Sequence, residues 1–324
     1  MGSRTISRHP HLNLSPATIR NVMADLEEKG FLWQPYTSAG RVPTERAFRF
    51  YVDYLLKVRR LPRREREVIR EEYLSPMAMG VDVEELLRQA ARILSAFSDY
   101  IGVVVAPPIG SGALKHIQFV RLSENQVLVI LVSIVGIVEH KVIPIPEQDR
   151  DDLTQEELDR MSRYLSSELY GLTLIEMRER ILAQMREEKV KFDTLLQKAL
   201  RLGEQALSNV SGTQVYLEGK LNILKEPEFA QVEKMRAIFK AFEEKGKILK
   251  LLDKSLKVRG LSVFIGSEME FEEAKELSLV TRDYPRGGKF MGTLGVIGPT
   301  RMKYSRVIAL VDCVSELLTE LLER

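Results

Sequence analysis

The chain has 324 residues, 44% of them hydrophobic and 29% charged, with a formal net charge of +2. That balance suits a folded chain of two or three domains and excludes a disordered or collagen-like polypeptide. A single cysteine, Cys313, excludes an internal disulfide and fits a reducing cytoplasm. The opening residues do not read as a signal peptide, and the most apolar run, residues 127–138, is too short to span a bilayer, so no membrane partner is expected.

Taken from the N-terminus, residues 2–8 (GSRTISR) predict a short helix capped by Ser3, with a turn from His9-Pro10-His11 to Leu14. Two histidines this close raise a metal site, but no cysteine or carboxylate stands at ligand spacing and none is assigned. Ser15 is a good N-cap, and Pro16 sits at the first helical position, where its missing N–H costs nothing. Ile19, Val22, Met23 and Leu26 recur at i, i+3, i+4 and i+7, an apolar stripe that reads as core. Thr18, Arg20 and Asn21 face away from that stripe near the start of the helix. Gly30 can end the helix in the left-handed conformation. Phe31-Leu32-Trp33 begins an extended arm, Ser38-Ala39-Gly40 supplies a turn, and Arg41-Val42-Pro43 returns.

This is the order of a winged helix-turn-helix, a recognition helix followed by a β-hairpin wing. An exposed Thr-Arg-Asn face is by itself an ordinary solvated surface. The wing and the local charge tilt the reading toward DNA. Residues 1–70 carry 14 Lys+Arg against 7 Asp+Glu, whereas the remainder carries 34 against 39. The basic footprint is confined to the end that bears helix and wing, as phosphate binding requires. Base reading falls to Thr18, Arg20 and Asn21, and a phosphate grip to Ser15 and the free amides at the helix start. Thr37, Ser38, Gly40 and Arg41 are the wing's candidates for backbone or minor-groove contacts.

Thr44 caps a helix running through Ala47, Phe48, Tyr51, Leu55 and Leu56. The charged run from Arg59 to Glu72, broken by Pro62, reads as a solvated linker helix that could also touch DNA. An amphipathic helix over 83–99 leads into a strand at 101–106, followed by a Pro- and Gly-rich break. Strands at 114–122, 126–134 and 137–145 predict an antiparallel meander. Residues 154–208 are helical in pattern, interrupted at Gly171. Past Gly212 the pattern is mixed: strand 213–217, helix 229–243, strands 261–265, 277–284 and 290–297, and a closing helix at 303–322. Val311, Val314, Leu317 and Leu318 around Cys313 mark a buried structural thiol.

No phosphate-binding loop, zinc-protease helix or nucleophile elbow is present. Gly292, Gly295 and Gly298 do not have the dinucleotide-binding spacing and read as shaping a strand and the turn before Pro299. Four histidines, none beside a nucleophile, leave little for general-base chemistry. Neither catalysis nor a cofactor is expected.

Three segments carry a family resemblance. They are GSRTIS followed by LSPATIRNVMADLEEKGFLWQPYTSAGRVPT, then VYLEGKLNILKEPEF from Val215 to Phe229, then GTLGVIGPTRMKYSRV from Gly292 to Val307. In that order, over essentially the whole chain, they resemble the heat-inducible transcription repressor HrcA family of bacteria. The resemblance implies an α+β multidomain fold: a winged helix at 1–70 and a GAF-like domain split into 71–111 and 212–324. An inserted dimerisation domain of β-meander plus helices would occupy 112–211, although a start after Ile145 is also open. It also implies a homodimer on double-stranded DNA at an inverted repeat, the CIRCE operator, upstream of chaperone operons. Release on heating and the GroE chaperonin as a partner belong to the same implication. An inverted repeat asks for a two-fold dimer, and the helices of 154–208 offer apolar faces for one.

Two other functions stay open on the residues alone. One is a ligand-sensing regulator whose GAF-like domain binds a metabolite, with Arg282, Asp283 and Tyr284 as pocket candidates. The other is a protein-interaction module that no longer binds DNA. The family also carries a further helix ahead of the Gly-Ser-Arg-Thr segment, and Met1 stands where relatives usually read valine. The expectation is a start assigned too late, at a GTG codon. The absent helix would leave Ile6, Ile19, Val22 and Leu26 under-covered, at about 1.5–3 kcal/mol each.

Overall fold

The computed structural model describes residues 2–9, 12–36, 40–78, 83–106, 113–134, 136, 138–145, 147, 150, 153–172, 176–177, 179–181, 183, 198–203, 214–229, 232–243, 245–269, 274–286 and 289–323. Its N-terminal lobe opens with α1 (Ser3–Ser7), capped by Gly2 rather than Ser3 and without a side-chain bond. Then come α2 (Pro16–Glu28), β1 (Leu32–Trp33) and β2 (Val42–Pro43). The two short strands pair antiparallel, with Leu32 opposite Pro43 and Trp33 opposite Val42. The hydroxyl of Thr44 accepts from the Ala47 amide to start α3 (Glu45–Phe50), which runs on as a π-helical turn over Tyr51–Leu55. Next is α4 (Arg63–Ala78), beginning after Pro62 as the breaker predicts.

A second lobe begins with α5 (Val83–Ser98) and β3 (Ile101–Ala106). The chain then leaves it to build a separate three-stranded antiparallel sheet from β4 (Leu114–Arg121), β5 (Gln126–Ser133) and β6 (Val138–Pro144). One face of this sheet buries Ile117, Phe119, Val127, Val129 and Leu131 against α6 (Gln155–Leu169), which starts in a capping box of Thr154 and Glu157. Edge strand β4 does not leave its amides unpaired. The hydroxyls of Ser162 and Ser166 on α6 accept from the Phe119 and Ile117 amides at 2.9 and 3.0 Å, which blunts the edge. Beyond α6 the helical prediction for 154–208 falls largely outside the described residues, with helix again at 198–203.

The chain returns as β7 (Gln214–Glu218), α7 (Val232–Glu243), α8 (Lys245–Lys257), β8 (Ser262–Ile265), β9 (Leu277–Arg286), β10 (Lys289–Pro299) and α9 (Tyr304–Leu322). Helix α8 is not among the elements the sequence predicts, although Ile248, Leu251, Leu252 and Ser255 repeat at helical spacing and are buried. The five strands form one antiparallel sheet in the order β7-β3-β10-β9-β8. Central strand β3 is buried throughout and its side chains alternate between two cores. Val104 and Ala106 join Val280, Leu294 and Val296 under α5 and α9, while Ile101, Val103 and Val105 join Leu279 and Ile297 under α7 and α8. Cys313 on α9 is 5% exposed, the structural thiol its neighbours predict.

The glycines of β10 shape the strand, as their spacing suggests. A Cβ at Gly292 would lie 2.2 Å from the Val105 carbonyl oxygen, and one at Gly295 would lie 2.3 Å from that of Val280.

Two contacts from one short helix join the lobes. The Arg49 guanidinium forks onto the Glu268 carboxylate, with Nε to Oε1 at 2.9 Å, and its Nη2 also donates to the Val263 carbonyl at 2.6 Å. One turn earlier, the Glu45 carboxylate accepts from the Ser267 amide at 3.2 Å and from its hydroxyl at 2.5 Å. Gly266 makes room for this: its φ is +53°, and a Cβ there would sit 2.0 Å from Glu45 Oε1. Farther along, Arg306 pairs with Glu65 and Arg70 with Glu320, each at 2.6 Å.

Replacing Gly295 by alanine should destabilise the full chain by about 1–3 kcal/mol or more, since the β9 backbone at Val280 and Thr281 must shift. A melting temperature unchanged from the parent, followed by circular dichroism, would contradict that packing.

Candidate nucleic-acid interface

Helix α2 is built at its start to present polar groups outward. Ser15 is extended, its Oγ accepts from the Thr18 amide at 3.1 Å, and it lies 2.9 Å from Thr18 Oγ1. Pro16 follows at the first position, and the first turn holds no acidic side chain. The positive end of the helix dipole is therefore left for an outside anion. Thr18, Arg20 and Asn21 are all exposed. Arg20 and Asn21 make no side-chain hydrogen bond or ion pair among the described residues. The cap uses the Ser15 and Thr18 hydroxyls, so of the three proposed readers Arg20 and Asn21 have the freest donors.

The far end of α2 closes as the sequence predicts. Gly30 has a φ of +72°, and the Phe31 amide donates back to the Leu26 carbonyl at 2.8 Å.

Of the wing candidates, Thr37 and Ser38 lie outside the described residues, and Gly40 is half-buried. Arg41 does not project into solvent. Its Nε donates to Glu27 on α2 at 2.5 Å, the two side chains being 21% and 34% exposed, so this residue braces the wing strand against the helix. Sequence reasoning passed over Glu27, whose position three turns into α2 carries no signal of the pairing. It also passed over Arg46, which stacks over the Phe31 ring at 4.9 Å and packs the base of the wing on α3.

The apolar stripe is only half core. Ile19 and Met23 are 5% and 6% exposed, but Val22 and Leu26 are 46% and 36% exposed, correcting the expectation that all four are buried. Helix α1, which packs on α2, spans only five residues. Val22 and Leu26 face an apolar groove of about 450 Å³, bounded also by Ile6, Leu14, Ile19 and Val42. Ile6 is half-buried.

Other chemistry finds no footing. Arg282 pairs with Asp312 at 2.6 Å, Asp283 accepts from the Gly260 amide at 3.0 Å, and Tyr284 is fully buried with its hydroxyl donating to the Val105 carbonyl at 3.0 Å. Burial holds the Tyr284 phenol far above its ordinary range, so it stays a neutral donor. These three candidates for a metabolite pocket are bound up in the fold. Among the described residues no cluster of three metal-ligating side chains occurs, and His11 lies outside them. No described helix is long and apolar enough to cross a membrane.

A capped helix with free polar side chains, followed by a two-stranded ribbon on the most basic lobe, defines a transcription regulator of the DNA-docking kind. The family model described as the HrcA protein C terminal domain matches residues 84–308. A heat-inducible transcription repressor HrcA of Geobacter sulfurreducens is 47% identical over 323 residues, covering 100% of this chain and 92% of that protein. Its counterpart in Syntrophobacter fumaroxidans is 46% identical over 325 residues, covering 100% and 91%. The chain belongs to the HrcA family of heat-inducible transcription repressors. A crystal structure of a hypothetical protein at 2.2 Å resolution superposes with a TM-score of 0.56 at 21% identity, covering 100% of this chain and 92% of that one, and shares the fold.

The chain's one tryptophan, Trp33, stands in β1 and reports this lobe directly. Urea unfolding followed by its fluorescence should show Ile19→Ala losing about 2–4 kcal/mol. Val22→Ser, at a half-exposed position, should lose less than about 1 kcal/mol. Equal losses would mean that the groove is filled in solution.

Proposed function

We propose that this repressor binds an inverted-repeat operator of the CIRCE type in double-stranded DNA, upstream of chaperone operons. It does so as a homodimer, one winged helix per half-site, and it lets go on heat stress. The observation that carries this reading is the exposed, unpaired pair Arg20 and Asn21 at the uncapped-by-acid start of α2. In this reading Thr18, Arg20 and Asn21 read base edges, while Ser15 and the first amides of α2 hold a phosphate. Thr37, Ser38, Gly40 and Arg41 belong to the wing contact.

The GAF-like reading of 71–111 and 212–324 draws support from the five-stranded antiparallel sheet layered between helices on both faces. For 112–211, the dimerisation reading is supported by the outer face of the β4-β5-β6 sheet. Val120, Leu128, Ile130 and Val132 are half-buried there, and Val138 and Val142 are 53% and 46% exposed. Six aliphatic side chains on one sheet face suit a self-complementary two-fold contact. The GroE chaperonin is the partner expected to keep the repressor active, and the cytoplasm is the compartment. No catalytic role is proposed.

Gel shifts with a duplex carrying the inverted repeat and with a scrambled one test the reading. Arg20→Ala should lose about 1–3 kcal/mol on the repeat and discriminate less between the two duplexes. Arg41→Ala should weaken both duplexes alike, whereas Glu27→Gln, which removes a carboxylate beside Arg41, should bind at least as tightly as the parent. Equal affinity of the parent for both duplexes at low salt defeats the proposal. A loss in Glu27→Gln matching that in Arg41→Ala assigns Arg41 to bracing alone. Changing Val138 and Val142 to lysine should shift the chain from dimer to monomer in sedimentation, and a persistent dimer places the contact elsewhere.

A further inference from the structure

Arg59, Arg60 and Lys303 find no use in the DNA-reading face. They come together where the segment leaving the N-terminal lobe crosses the start of α9. There a cavity of about 400 Å³ is lined by Tyr51, Arg59, Arg60, Lys303, Ser305 and Arg306, among others. Helix α9 is 19 residues long, has no side-chain cap and carries no acidic residue in its first turn, so its dipole adds positive potential on the same side. The side chains of Arg59, Arg60 and Lys303 are exposed and make no hydrogen bond or ion pair among the described residues.

The neighbouring acids are already engaged. Glu65 pairs with Arg306, Asp312 with Arg282, and Glu316 with Arg66 at 3.8 Å. The other arginines of the charged run 59–72 contrast with these: Arg63 pairs with Glu67 at 3.0 Å, and Arg70 reaches across to Glu320. Among the described residues of the run, Arg59 and Arg60 line this concavity without a side-chain partner, while Arg64 is exposed and unpaired outside it.

We propose that this cavity binds a phosphate-bearing anion, held by the side chains of Arg59, Arg60 and Lys303. Arginine forks match phosphate oxygens, whereas an apolar metabolite would leave three cations uncompensated. The volume is ample for a diphosphate. Because Arg59 and Arg60 come from the linker and Lys303 from the second lobe, an occupant ties the linker to α9 and stiffens the junction between the lobes.

The test uses the full chain, with Arg59→Gln/Arg60→Gln and Lys303→Gln as variants and Arg63→Gln, outside the cavity, as control. Circular dichroism and Trp33 unfolding establish that each variant folds. Pyrophosphate is titrated by calorimetry at fixed ionic strength set with chloride, without DNA. Separately, duplex affinity is measured against salt concentration. Pyrophosphate binding that falls at least tenfold in the double variant and in Lys303→Gln, but not in Arg63→Gln, supports a free anion as the occupant. Silence to pyrophosphate, with a salt slope that falls by about 2 in the double variant, supports a DNA backbone phosphate instead. Binding equal in parent and variants, or no pyrophosphate binding with an unchanged slope or no duplex binding, overturns the proposal. The pyrophosphate arm requires no operator, so its outcome stands apart from whether the inverted repeat is bound.

Discussion

The guanidinium of Arg49 holds the two halves of the molecule in one arrangement. It satisfies a carboxylate and a backbone carbonyl of the second lobe together with Asp53 of its own helix, using the rigid planar fork that lysine lacks. Glu268, its main partner, keeps it firmly protonated. Glu45, one turn away, accepts from the Ser267 amide, so α3 meets the second lobe at two points. The Thr44 hydroxyl then donates to the Gly30 carbonyl at 2.8 Å, linking that helix to the end of α2. A side chain on α3 thus bears on how α2 sits relative to the second lobe.

Much of this was legible in the residues, for identifiable reasons. Helix α2 announced itself through Ser15, Pro16 and Gly30, signals that act locally and do not depend on what packs nearby. The meander was legible because three β-rich runs follow one another, with turn residues such as Ser123-Glu124-Asn125 between them. The spacing of Gly292 and Gly295 marked close backbone approaches. Helix α8 went unseen because its lysines dilute a pattern that Ile248, Leu251 and Leu252 nonetheless carry.

What could not be read was tertiary. Periodicity places Val22 and Leu26 on the same stripe as Ile19, but only the packed fold decides that the stripe is half covered. Arg41 looked like a free wing cation until the fold set Glu27 beside it. The ion pairs of Arg49, Arg70 and Arg306 join residues more than 200 positions apart, and nothing in either partner's neighbourhood foretells the other. Arg282, Asp283 and Tyr284 had the look of a polar pocket because sequence gives residue types and not directions.

The order of strands has a consequence for how the molecule is made. In the sheet, β3 lies between β7 and β10, so its two neighbours are encoded more than 100 and nearly 190 residues later. During synthesis this apolar strand meets its first neighbour only after about two-thirds of the polypeptide has emerged and its second near the end. The α1–β2 region and the β4–β6 meander, whose pairings are short-range, can settle well before that. Assembly is therefore staggered: peripheral modules first, and the central layer last, after a long wait with Ile101 to Val105 exposed to whatever binds nascent apolar strands.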